Sequence, residues 1–121
     1  MSDPPATLHM NSCDTAGVTF AVAWAKLDDA SKAPEALAQW TAASLASVRA
    51  PAGAETGWAA AVPRADEVHG IKAQGVNHLG QALHTQAVYF SRGPWVYQAA
   101  VYGDRLPEEA LTTFFEGLTL P

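Results

Sequence analysis

The chain has 121 residues, a single cysteine and a formal net charge of -5. That length suits one domain whose core needs no disulfide staple, and the lone Cys13 excludes an internal disulfide. Its seven basic residues are scattered along an acidic chain, which argues against nucleic acid and against anionic membrane surfaces as partners.

No apolar run approaches the ~18 residues of a membrane span, so direct membrane insertion is not expected. Met1 to Cys13 lacks the basic start and apolar middle of a signal peptide. The expected compartment is periplasmic or envelope-associated if an upstream leader has been removed, and cytoplasmic otherwise.

Residues 1–6 read as a loose N-terminal segment and residues 7–121 as a single α+β domain. Thr7 to Cys13 is the first predicted strand, and Asp14 to Gly17 supplies turn chemistry. Val18 to Leu27 follows as a second strand, completing an antiparallel hairpin. One of its faces carries Val18, Phe20, Val22 and Trp24; the other carries Thr19, Ala21, Ala23 and Ala25, small enough to pack closely under a helix.

After polar punctuation at Asp28 to Lys32, Pro34 and Glu35 open a helix. Leu37, Trp40, Thr41, Ser44, Leu45 and Val48 recur at helical spacing to about Arg49, and Pro51 and Gly53 stop it. Trp58 to Val62 reads either as a short strand or as an irregular loop. Gly70 to His78 and Gln81 to Ser91 are strands around Leu79-Gly80-Gln81. Arg92-Gly93-Pro94 turns the chain into a last strand, Trp95 to Gly103. A closing helix, Pro107 to Glu116, carries the stripe Leu111, Phe114, Phe115 and Leu118, with Gly117 as its cap. The order ββα(β)βββα predicts an antiparallel sheet of about five strands packed with two helices.

Chemistry-bearing motifs are scarce. His9, His69, His78 and His84 include no i, i+4 helical pair and Cys13 has no Cys-x-x-Cys partner, so no metal site is expected. His78 and His84 would face each other across their hairpin if its loop holds three residues. No nucleophile elbow or phosphate loop occurs. The acids at 28–29, 66–67 and 108–109 are adjacent in sequence and point apart, so no catalytic residue and no cofactor is expected.

Trp95, Tyr97 and Val101 share one parity of the last strand and Tyr102 has the other. Aromatic side chains therefore fall on both sheet faces. The second face is either covered by the first helix, through Trp40, or exposed as a binding surface. The candidate ligand-binding residues are His78, His84, Tyr97 and Trp95. The surplus of aromatics between Tyr89 and Tyr102 also predicts association, with a second copy or a protein partner, through a strand edge or this second face.

The run Val96-Tyr97-Gln98-Ala99-Ala100-Val101-Tyr102-Gly103, a linker with Pro107, and then Phe114-Phe115-Glu116-Gly117-Leu118 resembles the end of small bacterial modules of the PsbP-like α/β/α sandwich type. That fold occurs also in photosystem II extrinsic proteins and a Ran-binding protein. A Ser is common in such modules where Gly117 stands. The element order from residue 7 to 120 is similar as well, but the match lies in packing residues and carries no functional residue over. Many such modules look like envelope proteins without assigned activity. The resulting expectation is a non-enzymatic binding or accessory module, of the kind found in the bacterial cell envelope. The alternatives are a ligand-binding or enzymatic domain with a pocket between sheet and helix near His78 and His84, and a structural dimerisation module.

Overall fold

The computed structural model describes residues 8–15, 17–50, 56–58, 60–77 and 79–118. The loose segment expected at 1–6 lies outside the described residues. Strands β1 (His9–Thr15) and β2 (Val18–Lys26) form the N-terminal hairpin, followed by a 3₁₀ turn (Ala30–Lys32) and helix α1 (Ala33–Ser47). Strands β3 (Thr56–Trp58), β4 (Glu67–Val76), β5 (Ala82–Arg92) and β6 (Trp95–Gly103) come next, and helix α2 (Glu108–Glu116) closes the chain.

All six strands join one antiparallel sheet in the order β1-β2-β6-β5-β4-β3. The fold is therefore α+β, with one strand more than the sequence pattern indicates. The extra strand is β3, whose three residues pair with Ile71 and its two neighbours in β4. Too short to show alternation, it has no pattern to read.

The two helices cover opposite faces, and the strand parities decide which residues each receives. On one face Leu111 and Phe115 of α2 pack on Val18, Val88, Phe90 and Val101. On the other, Ala33 and Leu37 of α1 pack on Ala25, Ala87, Tyr89, Val96 and Ala100, with Trp40 against their edge. The second face is thus covered rather than exposed. Alanines line it because a helix can approach a sheet closely only where the intervening side chains are short.

A buried polar chain pins α1 to this face. The Gln98 amide donates to Ser44 Oγ (2.9 Å) and to Tyr89 Oη (2.8 Å). Tyr89 is fully buried, and loss of water around its phenol pushes its pKa up, partly offset by the Ser44 and Gln98 hydrogen bonds.

The end of α1 is fixed with equal care. Ala50 N–H donates to Leu45 O and Arg49 N–H to Ala46 O, both at 3.1 Å, while Arg49 takes a φ of 54°. This is a Schellman cap with arginine in the left-handed position that glycine usually fills. The carbonyl of Val48 then accepts from Val76 N–H of β4 at 2.8 Å. That approach requires Gly75: a Cβ built there would sit 1.8 Å from Val48 O.

The expected glycine cap of α2 is present at Gly117, but its φ is -79°, so no left-handed freedom is used. Its N–H closes the helix by donating to Thr113 O at 3.2 Å.

Candidate functional site

Helix α2 is only nine residues long and cannot cover six strands. Between it and the β3–β5 half of the sheet lies a groove of about 730 Å³. Its apolar side is formed by Trp58, Val88, Leu106, Leu111 and Phe115. The Trp58 ring packs edge-on against Phe115 at 5.0 Å and lies over Gly70, which leaves room for it: a Cβ there would meet the indole nitrogen at 2.8 Å. Through that gap Trp58 Nε1 donates to Ala87 O at 3.1 Å.

The polar side of the groove comes from the sheet floor and the loop after β6. Lys72 opposes Gln86 and Gln74 opposes His84 in the β4–β5 register, so the four side chains form a block on the α2 face. Lys72, His84 and Gln86 line the groove, and a smaller adjoining hollow of about 260 Å³ shares all three. Arg105 enters from the loop, while Glu108 and Glu116 face the space from α2. Among the described residues neither Lys72 nor Arg105 has an acidic partner within ion-pair distance. Arg92 is different, reaching Asp66 at 3.2 Å.

Gln86 is the most unusual member of the set. The residue is 8% exposed, yet its carboxamide makes no hydrogen bond to any described residue. Among the described residues no polar side-chain atom is sealed from solvent without a partner. The Gln86 amide therefore opens into the groove, where water or a ligand must satisfy it.

Of the side chains singled out from sequence, the three in the described residues, His84, Tyr97 and Trp95, do not converge. His84 lines the groove. His78 lies outside the described residues. His84 is opposed by Gln74 rather than by His78, because the last β4–β5 pair is Val76 with Ala82. The connection is thus longer than three residues. It is organised by the Asn77 side chain, which accepts from Leu79 N–H (2.9 Å) and Gln81 N–H (3.0 Å). Tyr97 is on the α2 face but outside the groove, stacked on Phe90 at 4.9 Å. Desolvation raises its phenol's pKa. Trp95 stands at the start of β6, 38% exposed, with the Lys26 ammonium 5.8 Å from its ring centroid.

Lys72, Gln86 and Arg105 were not singled out from sequence. The signal for the first two lies in their parity: polar residues on the β4 and β5 positions that continue the line of Val68 and Val88 toward the core.

Among the described residues no group of three His, Cys, Asp or Glu side chains converges as a metal site. No described helix is long and apolar enough to cross a membrane.

Comparison with known proteins gives the fold a relative and no activity. No family model and no curated protein matches the chain. Among solved structures it is similar to a Pseudomonas aeruginosa protein of unknown function, described as a candidate regulator. The TM-score is 0.58 at 16% sequence identity, over 99% of this chain and 86% of that one. At that identity the likeness is one of fold alone.

Proposed function

We propose that the protein is a small non-enzymatic binding module whose ligand site is the groove between α2 and the β3–β5 half of the sheet. The observation that carries this reading is Gln86, 8% exposed as a residue, whose carboxamide is unpaired among the described residues and opens into a cavity of about 730 Å³. Small-molecule sites typically enclose about 300–1,000 Å³, mostly apolar, with a few converging polar groups. The groove's volume falls in that range, and its lining mixes eight apolar residues with seven polar or charged ones. The acids lining it are spread along α2 rather than paired on a reacting centre, which supports binding over catalysis. An accessory role in a bacterial assembly, of the PsbP-like type suggested by the last strand and closing helix, fits a domain with helices on both faces of its sheet.

The test is a thermal-shift screen of the whole chain with small metabolites, run beside Thr112→Trp. Thr112 is exposed on α2 and lines the groove, so an indole there fills it without disturbing the core. Upward shifts in the parent that vanish in the variant support the reading. Shifts that persist in Thr112→Trp, or none with any compound class, overturn it.

A second reading, association with another chain, is favoured by β1. It ends the sheet with seven residues whose outer edge has no partner strand among the described residues, without proline or lysine to block it, and Met10 on it is 59% exposed. Light scattering showing a monomer at all concentrations would remove it.

A further inference from the structure

Resting on the groove as the binding site, we infer its ligand class: a monoanionic carboxylate carried on an apolar body. The floor supplies the head-group chemistry. Lys72 and Arg105 are two of only seven basic residues in a chain of net charge -5, yet both line this one cavity. Both lack an acidic partner among the described residues. Opposite Lys72 in the register the Gln86 amide offers N–H donors to the same cavity, and His84 a further ring nitrogen on the same face. A carboxylate accepts from several such donors at once, and each charge-assisted bond is stronger than a neutral one.

The body of the ligand is set by the rest of the cavity. Val88, Leu111 and Phe115 are buried under α2, and the Trp58 ring extends the same apolar wall toward β3. The indole N–H of Trp58 is already committed to Ala87 O, so the ring can offer a ligand only hydrophobic contact. An aromatic or branched aliphatic group fits this wall, and a purely polar ion leaves it empty.

Glu108 and Glu116 set the upper limit on charge. They face the same space from α2 with no basic partner among the described residues. Two carboxylates opposite two cations tolerate a single negative charge near the floor and repel a doubly charged head such as a phosphate monoester.

The experiment compares 3-phenylpropionate, 3-phenylpropionamide and 3-phenylpropyl phosphate by calorimetric titration of the full chain at neutral pH. The acid binds about tenfold tighter than the amide, the difference expected for one well-placed charge-assisted bond. Lys72→Gln and Arg105→Gln, both at exposed positions, each weaken the acid about five- to tenfold while leaving the amide unchanged. The phosphate binds more weakly than the acid, and Glu116→Gln narrows that gap. Equal affinity for acid and amide overturns the carboxylate assignment and leaves the groove reading standing. Acid binding that survives in Thr112→Trp places the ligand elsewhere and overturns both. Phosphate bound more tightly than the acid overturns the monoanion limit, and with it the inference.

Discussion

Replacing Gly75 by alanine tests the docking of α1 onto the sheet. The added methyl would lie 1.8 Å from Val48 O, 2.7 Å from Val48 C and 3.1 Å from Ala50 N. All three are backbone atoms, so no rotamer change relieves the contact, and the helix end must move away from β4. That movement breaks the 2.8 Å bond from Val76 N–H to Val48 O and opens Val48, now 4% exposed. A buried backbone group left unpaired costs about 1–3 kcal/mol, and partial exposure of a valine about 1 kcal/mol more. The lower entropy of an alanine-containing unfolded chain offsets about 0.4–1 kcal/mol. The net loss is about 1–3.5 kcal/mol, a large share of the ~5–15 kcal/mol expected for a domain of this size. In urea, with a slope of about 2 kcal/mol/M, the midpoint should fall by roughly 0.5–1.8 M. Gly57→Ala is the control, because the nearest atom to its added Cβ is 3.8 Å away, and its midpoint should stay close to the parent's. A Gly75→Ala midpoint that coincides with the parent's would refute the close approach of Val48 to β4.

Phe115→Ala should cost about 3–5 kcal/mol by equilibrium unfolding, since Phe115 is buried in the α2 core, and half-buried Phe114 should cost clearly less. Arg49→Gly should raise the melting temperature, with a gain of about 1 kcal/mol from relieving a left-handed arginine. Alkaline titration followed by circular dichroism should show stability falling with pH. Burial raises the phenols of Tyr89 and Tyr102 above their ordinary value, so their contribution is complete below about pH 10 and is lost as pH rises through the folded-state values. Tyr89→Phe should flatten that decline and cost about 1 kcal/mol at neutral pH by removing the acceptor of the Gln98 amide.

Most elements could be read from sequence because alternation and punctuation agree with each other. In β2, apolar residues alternate with alanines, and Arg92-Gly93-Pro94 turns the chain where one strand ends and the next begins. Strand order was not legible. Nothing in β2 announces that its second partner is β6, because pairing between distant strands leaves no local pattern. The three-residue loop on which a His78–His84 facing depended is absent for a related reason: the last β4–β5 pair is Val76 with Ala82. Hairpin register depends on which turn forms, and the Asn77 side chain organises a longer one than the Leu79-Gly80 signal implies. The groove stayed hidden because Lys72 and Gln86 look like ordinary surface residues until the register places them on the face that α2 only partly covers.

The position of β6 between β2 and β5 has a kinetic consequence. Among the described residues the N-terminal hairpin reaches the rest of the sheet only through a strand made about 70 residues later, with Val18 beside Gly103. An isolated two-stranded hairpin is at best marginally stable in water. During synthesis, then, the β1–β2 hairpin must wait without a further strand beside it until residues 95–103 have left the ribosome. Only then can one late strand join the two halves of the sheet. Folding governed by such distant pairings is slow, and a nascent chain of this design exposes its first aromatic strand, with Phe20 and Trp24, until β6 emerges.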